Sequence, residues 1–331
     1  MDERINVGVV GVGSLGFHHA RIARDLPGAE LVGIHDIDAD RLDAVAGELG
    51  VRAVSELDEL LDAVDAVVIA VPTVAHEEVA LAALERGVHV LVEKPIAQTL
   101  EAADRILDAA AAAGALVQIG HVERFNGALR ACEPYLDEPL FIESHRLAPF
   151  GSRGTDVAVV LDLMIHDLDL VLSLASRPVT SIGAVGVPVL TASPDIANAR
   201  LEFEGGGVAN LTASRVSLER MRKVRFFQRS GYISLDLANG VGEFLRLREG
   251  AHFEPGVPLP GRSLADVVER VPLVGDGREP LRCELESFVD AVLGRAPVAV
   301  SGRDGRRALA VALEIVERIE HHVAHTSSAR A

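Results

Sequence analysis

A chain of 331 residues with 49% hydrophobic and 24% charged residues has the balance of a globular protein, and its length favours two domains over one. Its net charge of −17 excludes the basic stripe that a nucleic-acid surface needs. Apolar runs such as Ala66–Val71 and Val157–Leu161 fall far below the ~18 residues of a membrane span. Met1–Arg4 does not open a signal peptide, and Cys132 and Cys283 make neither a disulfide framework nor a paired metal motif. Together these features point to a reducing cytoplasm.

In chain order, apolar runs predict strands at Ile5–Val10, Glu30–His35, Ala66–Val71, Val88–Val92 and Leu116–Ile119. Amphipathic stretches between them predict helices at Leu15–Leu26, Ala39–Leu49, Val74–Arg86 and Leu100–Ala113. Thr99 is placed to cap the last of these, and Gly87 and Gly114 to close the last two. This βαβα alternation predicts a parallel sheet covered by helices on both faces. After about residue 122 the rhythm changes. A helix is expected over Asp156–Leu174, then strands at Val179–Val187, Asn198–Glu204, Val208–Ser214, Val224–Arg229, Tyr232–Leu237 and Glu243–Arg248. Phe253–Gly261 reads as a loop, and helices return at Leu281–Leu293 and Gly302–His322. The reading divides the chain into an α/β domain (1–121) and an α+β domain (122–331) with a large, mostly antiparallel open sheet.

Gly11-Val12-Gly13-Ser14-Leu15-Gly16 follows the first strand directly and opens a helix. In that setting the glycines allow a tight turn and close backbone approach, and the helix N-terminus offers N–H groups to a pyrophosphate. Asp36 ends the second strand, where a carboxylate accepts from both ribose hydroxyls and repels a 2′-phosphate. NAD is therefore favoured over NADP, with Arg41 close in sequence as the residue that speaks for the opposite. Two further loops belong at the carboxyl ends of the strands: Val71-Pro72-Thr73, with His76 one turn on, and Glu93-Lys94-Pro95. Lys94 is one of only two lysines, beside Lys223, in a chain with 30 arginines. Its place at a strand end predicts that it points at the nicotinamide end of the crevice.

The stretch Asp156–Leu172, DVAVVLDLMIHDLDLVL, is apolar nearly all round and reads as a buried helix. Asp162 and His166 are spaced i,i+4 on it and share a face. A carboxylate there can fix the imidazole tautomer for general-base work, and it can equally be the hydrogen-bond partner of a core histidine. Spacing alone leaves both readings open.

Other candidates carry two readings as well. His121 and Glu123 follow the fifth strand and either meet substrate or nicotinamide ribose or serve the loop. Arg124, Arg146, Arg153 and Arg215 could hold an anionic ligand or lie on a solvated face. His18 and His19 pack or cap in the first helix, and Arg220–Arg225 reads as a strand face. His321, His322 and His325 lack carboxylate or cysteine company at ligand spacing, so no metal site is expected.

The glycine loop, the Glu93-Lys94-Pro95 turn and the Asp162-x-x-x-His166-Asp167 helix, in that order, resemble the glucose–fructose oxidoreductase/inositol dehydrogenase (Gfo/Idh/MocA) family over essentially the whole chain. The resemblance implies a Rossmann domain followed by an open, mostly antiparallel sheet whose face packs against another subunit, giving a homodimer or homotetramer. It implies NAD as cofactor, held by Gly11, Gly13, Ser14, Leu15, Gly16, Asp36, Val71, Pro72, Thr73, His76, Glu93, Lys94 and His121. It makes Lys94, Asp162 and His166 catalytic. A narrower likeness, in GHVERFN (Gly120–Asn126) and His145–Leu170, is to bacterial UDP-N-acetylglucosamine 3-dehydrogenases, with Gly127 where related sequences often have proline. That likeness implies a nucleotide-sugar substrate met by Lys94, Glu123, Arg124, Arg153, Thr155 and His166. It also implies a 3-keto product passed to an aminotransferase on the way to lipid A. On this reading His166 takes the proton of the 3-hydroxyl, Asp162 orients it, and Lys94 stabilises the alkoxide or relays a proton. Arginine, which does not release its proton, could not share that last duty.

Overall fold

The computed structural model describes residues 4–151, 157–175, 177–248 and 267–328. Its first elements are β1 (Ile5–Val10), α1 (Ser14–Arg24), β2 (Ala29–His35), α2 (Ala39–Leu49), α3 (Leu57–Leu61) and β3 (Ala66–Ile69). They are followed by α4 (His76–Leu84), β4 (His89–Glu93), α5 (Leu100–Ala113) and β5 (Val117–Gly120). The strands form one parallel sheet in the order β2-β1-β3-β4-β5. Ala66–Ile69 and Val90–Val92 are fully buried, as expected of apolar strands covered on both faces. β3 stops at Ile69, short of the predicted Val71, because its partner β1 ends opposite at Val10. Asp38 accepts from the Arg41 N–H at the start of α2, and Thr99 Oγ1 accepts from the Ala102 N–H at the start of α5. Gly114 closes α5 in the left-handed conformation.

From Asn126 the chain builds a second unit. It contains α6 (Gly127–Cys132), β6 (Phe141–Leu147), a π-type turn at Val160–Met164, and α7 (Ile165–Leu174) directly after that turn. Seven strands follow: β7 (Val179–Val187), β8 (Ile196–Phe203), β9 (Val208–Ser214), β10 (Met221–Gln228), β11 (Gly231–Asp236), β12 (Val241–Leu247) and β13 (Val268–Val274). They and β6 form an eight-stranded sheet, β13-β12-β11-β10-β6-β9-β8-β7, antiparallel except between β6 and β9. Strand β8 shows why a two-residue period marks such a sheet: Ala197, Ala199, Leu201 and Phe203 are buried while their neighbours face out. Strands β6 and β13 and helix α3 were not predicted; of the single helix expected over Asp156–Leu174, Asp156 lies outside the described residues and Val160–Leu174 is a π-type turn joined to α7. The loop expected at Phe253–Gly261 lies outside the described residues.

The chain then returns to the first unit with α8 (Pro280–Val292) and the start of α9 (Gly302–Ser328). Two compact units result: residues 1–125 with 279–310, and 126–278 with 311–331. The division is therefore not the simple one at residue 121. Leu281, Leu285, Phe288 and Val289 of α8 share a core with Val7, Val9, Ile22, Ile34 and Leu91. Among the described residues no helix is long and apolar enough to cross a membrane.

Candidate active site

The glycine loop crosses from β1 into α1 at the carboxyl edge of the parallel sheet. Gly11 has φ +84°, which only glycine adopts freely, and a Cβ on Gly16 would stand 1.7 Å from the Gly11 carbonyl oxygen. No side chain caps α1 at Gly13. The helix N-terminus thus keeps donors and partial positive charge for an anion. Asp36 is drawn to the loop: its Oδ2 accepts from the Val12 N–H at 2.8 Å and its Oδ1 from the Asp38 N–H at 2.9 Å. Arg41 lies 3.4 Å from Asp38, its guanidinium near Gly13. This cradle fits NAD: the N–H groups of the loop and helix start suit a pyrophosphate, and the Asp36 carboxylate suits ribose hydroxyls.

The Glu93-Lys94-Pro95 turn is held from two sides. Glu93 is buried; His19 Nε2–H donates to its Oε1 at 2.7 Å, and the Lys94 N–H donates to its Oε2 at 3.2 Å. Burial pushes the Glu93 carboxyl up, but the hydrogen bond and charge of His19 and the nearby Lys94 outweigh it and hold the group below the usual carboxylate range. On the other side the buried His76 ring places Nδ1 2.9 Å from the Pro95 carbonyl oxygen and Nε2 3.0 Å from that of Val71. Burial pushes His76 down from the ordinary histidine value, with the two carbonyls and Glu93 opposing. Both were expected to face a cofactor, yet their polar atoms are turned onto the protein and link the Val71 loop to the Lys94 turn. Lys94 itself is half-buried, at a cis Lys94–Pro95 bond.

Sequence reasoning missed what stands behind this turn. His19, read as a packing or capping residue, is wholly buried, and Glu284 of α8 joins it and Glu93 with donor atoms all within 4.8 Å. The only sequence signal was negative: a histidine and a glutamate on the apolar faces of α1 and α8. His121 and Glu123 are also buried. Arg124, three residues after His121, lies 3.9 Å from Asp304 at the start of α9.

In the second unit, Asp162 lies in the π-type turn and His166 in the first turn of α7. Both are half-buried rather than sealed in a core, so a carboxylate and an imidazole stay within reach of a ligand. π-type turns favour such functional placements. Neighbouring Asp167 is sealed in, accepting two hydrogen bonds from Arg146 of β6, Nε at 2.9 Å and Nη2 at 2.8 Å. Arg215 is likewise committed: it donates to Asp195 at 2.8 Å and to the Val157 carbonyl at 2.7 Å, just before the turn. Burial pushes the Asp195 carboxyl up, but the N–H groups of Leu190, Thr191 and Val189 and the Arg215 guanidinium hold it well below the usual range. Arg146 and Arg215 are thus structural ion pairs, not the ligand arginines the sequence allowed. Arg153 and Thr155 lie outside the described residues. Burial pushes the Cys132 thiol up to about 12, which removes it as a nucleophile.

The sequence and fold have recognisable relatives. Residues 5–121 match the oxidoreductase family with an NAD-binding Rossmann fold, and residues 110–234 match the Gfo/Idh/MocA C-terminal domain. The UDP-N-acetylglucosamine 3-dehydrogenase of Acidithiobacillus ferrooxidans is 38% identical over 96% of this chain and 97% of its own. A solved structure of that enzyme superposes with a TM-score of 0.88 at 37% identity, covering 96% of this chain and 98% of the other. The scyllo-inositol 2-dehydrogenase (NAD(+)) of Bacillus subtilis is 29% identical over 66% of this chain and 69% of its own. With a glycine cradle suited to NAD and relatives that match nearly end to end, this chain belongs to the Gfo/Idh/MocA family of NAD-binding oxidoreductases.

Proposed function

We propose that this protein is an NAD-dependent dehydrogenase that oxidises the 3-hydroxyl of a nucleotide sugar, UDP-N-acetylglucosamine, to the 3-keto sugar. The observation that carries the reading is the 38% identity over 96% of the chain to an enzyme named for that reaction. The cyclitol dehydrogenase of Bacillus subtilis, by contrast, matches over 66%. Bound NAD supplies the hydride acceptor.

The chain's own residues supply the proton chemistry. His166 accepts the proton of the 3-hydroxyl through its imidazole, and Asp162 orients that ring and stabilises its cationic form. Lys94, a compact cation with three donors, stabilises the oxygen as negative charge develops on it. Glu123, Arg124, Arg153 and Thr155 bind the sugar or its diphosphate. A 3-keto sugar is what an aminotransferase needs to make a 3-amino sugar, which fits a cytoplasmic step leading to lipid A. A second copy of the chain packs on the eight-stranded sheet, whose edge strand β7 exposes Val185 and Val187.

The test is NADH formation against UDP-N-acetylglucosamine, its uronic acid and myo-inositol, with a trapping amine to draw off the keto product. Turnover with the first is expected. Reaction with the cyclitol alone would make the protein an inositol dehydrogenase, and NAD binding with no turnover of any of them would make it a regulator.

A further inference from the structure

Three ionisable side chains from separate elements meet behind the Lys94 turn: His19 of α1, Glu93 at the end of β4 and Glu284 of α8. His19 and Glu284 are wholly buried and Glu93 nearly so. Burying such groups is costly where a leucine would do, so their effect must lie in what they touch. Glu93 divides its carboxylate between the His19 ring and the Lys94 main-chain N–H. The sheet is built around that carboxylate, since a Cβ on Gly120 of β5 would stand 2.8 Å from Glu93 Oε2. The ionisable groups facing Glu93 are His19 from α1, Glu284 from α8, Lys94 on its own turn and His76 from α4.

We propose that the His19–Glu93 pair, backed by Glu284, is a positioning device for Lys94. It pins the main chain at the Lys94 amide and keeps a buried negative charge beside the ammonium. The proposal rests on reading Lys94 as the cation of the reaction. It links the helix that opens at the glycine loop to the residue that meets the reacting oxygen, because α1 carries both the cradle and His19.

The test uses the chain's near-absence of lysine. Reductive methylation with ¹³C-formaldehyde labels Lys94, Lys223 and the N-terminal amine, and a Lys223→Arg variant assigns the signals. In Glu93→Gln the Lys94 methyl signal is expected to titrate at lower pH than in the unaltered protein, since an opposite charge has been removed. kcat should fall by roughly 10- to 100-fold with little change in KM, as expected for a misplaced group. NAD affinity, read by calorimetry, should hold. His19→Leu should behave like Glu93→Gln, while His19→Gln, which can still donate to Glu93, should be largely rescued. Gly120→Ala should shift the Lys94 signal partway. An unmoved Lys94 signal in Glu93→Gln overturns the proposal, whether or not kcat falls, because Glu93 would then only support the fold. Should Glu93→Gln fail to fold, an unmoved signal and normal kcat in Gly120→Ala overturn it. Full turnover in Lys94→Ala overturns the catalytic reading of Lys94. Collapse in Lys94→Ala with an unmoved signal in Glu93→Gln overturns the positioning proposal alone.

Discussion

Each unit places a buried carboxylate next in sequence to a residue proposed to act on substrate, and the two solve the burial differently. Glu93 precedes Lys94 and is anchored by an imidazole, His19. Asp167 follows His166 and is anchored by a two-pronged guanidinium, Arg146. Arginine meets both oxygens of its carboxylate with a planar fork of donors, whereas the imidazole binds one oxygen and leaves the other to the Lys94 N–H. The comparison teaches that one anchor closes its carboxylate completely and the other leaves an oxygen to hold the neighbouring main chain. The histidine anchor sits at the end of a strand sealed in a parallel sheet, and the arginine anchor holds a carboxylate of the mostly buried helix α7.

The largest effect is expected from breaking the arginine anchor. Arg146→Ala leaves Asp167 buried and unpaired, which costs about 3–5 kcal/mol. Urea denaturation should show that loss, and a loss below about 1 kcal/mol would mean that water reaches Asp167. Next comes the carboxylate proposed to orient His166. Asp162→Asn is expected to lower turnover roughly 10- to 100-fold, with the acid limb of its pH profile displaced. An unchanged profile would remove Asp162 from the proton chemistry.

Acid should weaken the surroundings of the Lys94 turn. His76 and Glu93 both have folded values pushed below their ordinary 6.5 and 4.5. Their contributions are complete above those ordinary values, because the unfolded chain is the better proton acceptor only below them. Stability is thus lost first as pH falls below 6.5, through His76, and again below 4.5, through Glu93. Denaturation midpoints measured from pH 7.5 to 5.5 should fall, and the slope should flatten in His76→Gln. An equal slope in that variant would place the acid sensitivity elsewhere. The smallest effect is expected at the exit of the turn. Thr99→Ala removes the cap of α5 at a cost of about 1 kcal/mol, read in the same denaturation assay, with turnover unaffected.

The parallel sheet was readable because burial on both faces makes its strands continuous apolar runs, and α2 and α5 end where their caps stand. Strand β6, FIESHRL, was not. Its inward positions include Ser144 and Arg146, and a buried arginine looks polar until Asp167 is known to face it. Strand β13 carries Pro272, which an edge strand tolerates but which argues against a strand in sequence. The π-type turn at Asp162 has no composition of its own. Lys94, Asp162 and His166 stood out as chemistry-bearing residues, while His19 and Glu284 did not. Their meeting with Glu93 depends on α8, far along the chain, returning to the first unit.

That return also sets an order of events during synthesis. Leu285, Phe288 and Val289 complete the core around Ile22 and Leu91, so the first unit emerges from the ribosome long before its last wall exists. At 5–20 residues per second, the chain between Phe125 and Phe288 takes on the order of 10–30 seconds to be made. For that interval the nascent nucleotide-binding unit carries an open apolar flank, and the His19–Glu93 pair waits for Glu284.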